Sequence, residues 1–188
     1  MKTYKFLFVI TLFFSLLLSC QEQDYEVIIS DLDGEEYYSD MSGEMNTRKA
    51  ARLIIENKID KVPLDFQLLI SDSLNSKEIY WQKIYLKAFS LIIVNFSENQ
   101  KSDAAPKLFS FFMHHPKMYK EQIIDMDIEN SDYFLELISL EINQHIQEQK
   151  ITVNSIINLA IKYCDDCNEA TIEFLINYIE LAEKLVLE

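Results

Sequence analysis

Glycine is almost absent from this chain: 2 residues in 188, Gly34 and Gly43, with none after position 43. Average usage is roughly 7 %, so about a dozen would be ordinary. Prolines are equally sparse, at Pro63, Pro106 and Pro116. Open parallel sheets and nucleotide-binding folds use glycine at tight turns and close backbone approaches. A chain without it is most easily built from helices joined by short polar loops. The length suits one domain of ordinary size. With 49% of residues hydrophobic, it can bury a substantial core.

From position 47 onward the apolar spacing predicts helices. Thr47 is placed as a cap before Ala50, Leu53 and Ile54, with Ile59 beyond a turn. Pro63 suits the first turn of a helix carrying Leu64, Leu68 and Leu69. Asn75 or Ser76 precedes a stripe of Trp81, Ile84, Tyr85, Ala88, Phe89 and Ile92, with Lys83, Lys87 and Ser90 on a narrower polar side. Such coverage predicts a central helix. Asp103 is placed as the next cap, with Pro106 in the first turn and a stop before Pro116. A short helix over 117–124 follows. Ser131 is placed as the opening of a helix with Phe134, Leu137, Ile138 and Ile142 inward. Thr152 opens the stripe Val153, Ile156, Ile157, Ala160 and Ile161. Asn168 opens the last, with Ile172, Leu175, Ile176, Ile179, Ala182 and Val186. The expected fold is all-α, with seven to eight helices in an irregular bundle or a HEAT-like stack of antiparallel helical hairpins over residues 47–188.

The N-terminus carries an address. Lys2 and Lys5 precede an apolar run over 6–18, too short for a comfortable transmembrane helix. It ends in Leu17-Leu18-Ser19-Cys20, which resembles the lipobox of bacterial lipoproteins. The resemblance implies cleavage after residue 19 and acylation of Cys20, a multi-chain anchor far stronger than one acyl chain. Residue 21 is Gln rather than the Asp of inner-membrane retention, so the expected site is the cell envelope, on the periplasmic or surface face of the outer membrane. Residues 20–46 then read as an acidic tether.

Charge restricts partners. The chain holds 17 Lys and Arg against 31 Asp and Glu. Loss of Lys2 and Lys5 with the leader moves the formal charge from −14 to −16. Such a surface repels nucleic acid and anionic headgroups and suits a basic protein partner, or serves solubility.

The stretch Val27-Ile28-Ile29-Ser30-Asp31-Leu32-Asp33-Gly34 resembles the first motif of haloacid-dehalogenase phosphatases. The resemblance implies an Mg²⁺-dependent enzyme with Asp31 as nucleophile and Asp33 as general acid/base. Ser97, Lys162 and Asp165-Asp166 are the available positions for its later motifs. Against it, Glu35 sets a negative charge where the phosphate would arrive, and the stretches before Ser97 and Asp165 carry helical spacing. Read as a calcium loop from residue 29, the same stretch offers Ile29 first and Asp40 twelfth, which breaks the pattern.

Cys164-Asp165-Asp166-Cys167 has three readings: a disulfide pinning the turn between the last two helices, two buried thiols, or a redox or metal pair. An exported compartment favours the disulfide. Two aspartates between the cysteines would raise the thiol pKa and oppose redox chemistry. A lone pair supplies only two zinc ligands. His114 and His115 end a helix, where imidazolium suits the dipole, and lack ligand spacing. His145 is isolated. No catalytic residue, cofactor or metal site is assigned. The functional expectation is a non-enzymatic lipoprotein that binds another protein, an immunity or inhibitor type among the options. The alternative is the phosphatase on Asp31 and Asp33.

Overall fold

The computed structural model describes residues 41–165 and 167–185, and among these every regular element is helical. The chain is all-α. The helices are α1 (Thr47–Ile55), α2 (Leu64–Ser73), α3 (Ile79–Ile92), α4 (Glu98–His114), α5 (Pro116–Ile124), α6 (Ile128–Gln149), α7 (Val153–Tyr163) and α8 (Glu169–Lys184). Short 3-10 turns follow α1, over Ile59–Lys61, and α3, over Ile93–Asn95. The compact helical unit begins at Met45. Cys20, Asp31, Asp33 and the tether up to residue 40 lie outside the described residues.

Side-chain caps fix half of the helix starts, those of α1, α6, α7 and α8. Thr152 and Asn168 cap α7 and α8 as the sequence predicts, accepting from the backbone N–H of Ser155 and Thr171. Three starts differ. Asn46, one residue before Thr47, caps α1 by accepting from Lys49 N–H at 2.9 Å. Asp127 rather than Ser131 opens α6, accepting from Asn130 N–H at 2.8 Å. Helix α4 starts after Ser97, not Asp103. There the Gln100 side-chain oxygen accepts from Ser97 N–H at 2.8 Å and from its hydroxyl at 3.0 Å, the side-chain arm of a capping box. Pro106 therefore lies inside α4. A proline there frees the carbonyl four residues earlier. Ser102 and Pro106 are both exposed, so water can meet that carbonyl.

Alternate helices are neighbours. Helix α2 packs on α4, α4 on α6 and α6 on α8, while α1 packs on α3 and, more slightly, α3 on α5. This is the neighbour order of stacked helical hairpins. The order is broken late in the chain, where α5 turns against α4 and α8, and α7 packs on α8 and α4.

The predicted stripe of α3 is buried throughout, as is that of α6. Helix α2 is turned differently: Leu64 and Leu69 are exposed, and Ile70 and Leu74 fill the core instead. Ser90 is buried rather than on a polar side, its hydroxyl donating to the Lys87 carbonyl at 2.7 Å.

The core is organised around a continuous run of rings. Phe96 meets Phe89 at 5.9 Å between centroids, Phe89 meets Phe134 at 5.5 Å, and Phe134 meets Tyr119 at 5.9 Å. Tyr119 also contacts Phe112 at 4.9 Å and Tyr178 at 5.5 Å, and Phe174 extends the run from Tyr178. The run crosses α3, α4, α5, α6 and α8, with Tyr119 as its branch point. Ring pairs of this kind add about 0.5–1.5 kcal/mol each beyond area burial.

Two connections take left-handed backbone without glycine, at Asn57 (φ 60) and Lys150 (φ 55). Asn tolerates this region; lysine is strained there by about 1–2 kcal/mol. Lys150 is exposed at the end of α6. The substitution Lys150→Gly should therefore stabilise the fold by about 1 kcal/mol, a gain of about 2–4 °C in Tm. Thermal unfolding followed by circular dichroism checks this; an unchanged or lower Tm would refute the strain.

Candidate protein-binding surface

Helices α5 and α6 meet in a three-residue turn, Asp125 to Asp127. Asp125 N–H donates back to Glu121 O and Met126 N–H to Ile123 O, both at 3.3 Å. Asp127 closes the far side: besides capping α6, its second carboxylate oxygen accepts from the Asn130 amide at 2.9 Å. Behind the turn, Tyr119 of α5 and Phe134 of α6 are fully buried in the ring run. The tip is held by both of its helices.

Two large apolar side chains flank the turn and stand in solvent, Ile124 at 67% and Ile128 at 82% exposure. Around them Glu121, Asp125, Asp127, Glu129 and Asp132 are all exposed. From Glu121 to Gln149 the chain has eight Asp or Glu and no Lys or Arg. Part of this charge has a local use, because carboxylates in the first turn of α6 suit its positive dipole end. Glu121 and Asp125 have no such use. They sit in the last turn and at the C-cap of α5, where the dipole disfavours anions, and that last turn holds no basic residue. These charges work against helix stability.

Chemically, the tip combines what an interface centre and rim require. Exposed isoleucines offer apolar surface, and a one-signed rim attracts an oppositely charged surface. Local spacing alone does not mark this tip. The available signal was the long stretch lacking any cation.

Of the candidates named from the sequence, His114, His115, Cys164 and Cys167 line one cleft, and His145 is not among its lining residues. Cys164 and Cys167, in the loop between α7 and α8, are joined by a disulfide, with Cα atoms 5.3 Å apart. His114, the last residue of α4, donates from Nδ1 to Ser110 O at 2.8 Å and stacks on Tyr163 with centroids 4.6 Å apart. His145 lies on α6 against Phe109, 3.8 Å from the Glu141 carboxylate. Among the described residues no three His, Cys, Asp or Glu are grouped to hold a metal. Ser97 is the N-cap of α4, Lys162 is exposed on α7 and Asp165 lies in the turn after it, while Asp166 lies outside the described residues.

His115 differs from the other histidines. It links α4 to α5, half-buried, and the buried Gln82 amide donates to its Nε2 at 3.0 Å while also donating to Ser76 O at 2.7 Å. An amide nitrogen only donates, so Nε2 here is unprotonated. Burial lowers the His115 pKa from its ordinary 6.5, and the charge of His114 lowers it further. A depressed folded-state value means that the unfolded chain binds more protons below pH 6.5. This residue's contribution is present above 6.5 and is lost as pH falls through the folded value. Unfolding midpoints of wild type and His115→Gln should therefore converge as pH falls below 6.5. A gap that stays constant from neutral to acid would refute the assignment.

Comparison with known families, with curated proteins and with solved structures finds no match.

Proposed function

We propose that this chain is a non-enzymatic envelope lipoprotein whose helical unit binds a basic protein partner through the α5–α6 tip. The observation that carries the reading is Ile124 and Ile128 standing exposed within a rim of five carboxylates. Two of those carboxylates oppose the dipole of the helix that bears them. Exposed apolar anchors inside a charged rim make sense where a partner covers them. The formal charge of −14 extends the same sign over the whole chain and would raise the association rate with a cationic surface.

The lipobox-like segment supplies the second half of the reading. Acylation at Cys20 would hold the protein at the envelope, with outer-membrane placement following from Gln21. No described helix is long and apolar enough to cross a membrane. A small acidic lipoprotein that occupies a basic surface suits an immunity or inhibitor role against a basic secreted toxin.

Fractionation tests the anchor: Cys20→Ala should move the protein from the membrane to the soluble fraction, and persistence in the membrane would refute acylation there. Salt tests the recognition. A basic partner purified with the full-length chain should bind more weakly as salt rises, because exposed charges are screened beyond about 8 Å at physiological ionic strength. A partner that is acidic, or equally tight at high salt, would contradict the tip as its docking surface.

A further inference from the structure

Away from the apolar tip, a cleft of about 400 Å³ opens between the start of α3, the α4–α5 junction and the end of α7. Its size falls within the range of small-ligand sites. Its charge is opposite to that of the protein. Lys83, Lys117, His114 and His115 line it, against a single carboxylate, Glu121. With both histidines neutral the lining carries a net positive charge, in a chain of −14. Neither Lys83 nor Lys117 has a carboxylate within ion-pair distance among the described residues.

The backbone adds donors. Helix α5 begins at Pro116 with no side-chain cap. Proline has no N–H, and the N–H groups of Lys117 and Met118 have no acceptor inside the helix, the first intrahelical bond being Tyr119 N–H to His115 O at 3.0 Å. Both residues line the cleft. An uncapped helix start presents positive potential and free donors to an anion. On the opposite rim, the Cys164–Cys167 disulfide follows Tyr163, whose ring stacks on His114.

We propose that this cleft binds a small soluble molecule through a phosphate group. Two lysines and two free backbone donors match the several acceptor oxygens and double charge of a phosphate better than the single charge of a carboxylate. A bilayer headgroup is disfavoured because the chain as a whole carries −14 and would be repelled by an anionic membrane. The inference is independent of the partner-binding tip; the two share only Glu121.

The test is calorimetric titration of inorganic phosphate into the full-length chain in detergent, with acetate as a parallel arm. Wild type should show saturable phosphate binding in the millimolar range and weaker acetate binding. The double substitution Lys83→Gln/Lys117→Gln should weaken phosphate binding at least tenfold. Substituting two exposed lysines elsewhere, Lys61→Gln/Lys184→Gln, should leave it unchanged. Absence of saturable binding, or equal loss in both double variants, would overturn the site. Equal affinity for acetate would overturn the assignment to phosphate. Circular dichroism of each variant separates lost binding from lost fold.

Discussion

Replacing Tyr119 by alanine is expected to destabilise the helical unit by about 3–5 kcal/mol, the range for deleting a large buried aromatic. Tyr119 is 0% exposed and touches Phe112, Phe134 and Tyr178, so its loss opens a cavity where rings from α4, α6 and α8 converge. A domain's whole stability is about 5–15 kcal/mol, so the effect would be a large share of it. The hydroxyl adds a separable part. It donates to the Tyr178 hydroxyl at 2.9 Å in the core, and burial pushes both phenols above their ordinary pKa, so both stay protonated. Tyr119→Phe keeps the ring and removes the donor, and should cost about 1–2 kcal/mol. Urea unfolding of the three proteins measures the split. If alanine and phenylalanine cost the same, the ring is not the branch point of the core.

Ile128→Asp should weaken partner binding by at least 2 kcal/mol, a loss of about thirtyfold, with no comparable loss of stability. The side chain is 82% exposed, so its removal forfeits little folding energy. It also stands in the first turn of α6, where a carboxylate suits the dipole. The matching substitution Leu64→Asp, at a 58% exposed site on α2, should leave binding intact. Equilibrium binding of the purified partner to both variants decides this. Equal losses would show that the tip has no special part in recognition.

Much of the fold was legible because burial periodicity is local. The α3 stripe from Trp81 to Ile92 and the caps Thr152 and Asn168 need no tertiary knowledge. The start of α4 was misplaced because Pro106 suggests a first turn. The Ser97–Gln100 pair and the exposure of Ser102, whose carbonyl the proline frees, make a proline tolerable further in. Helix α2 was turned wrongly because it offers leucines on more than one face, and which face is buried depends on α1, α3 and α4. The scarcity of glycine predicted helices correctly, yet did not forbid left-handed turns, which Asn57 and Lys150 take instead. The tip was illegible for a different reason. Ile124 and Ile128 look like core residues in sequence, and only the packed structure shows that nothing covers them.

The most direct measurement places a photo-cross-linking side chain at position 128, and separately at position 64, in the full-length chain within its own cells. A discrete adduct to one basic protein from position 128, absent from position 64, is the expected result. The same adducts from both positions, or none from position 128, would contradict the account.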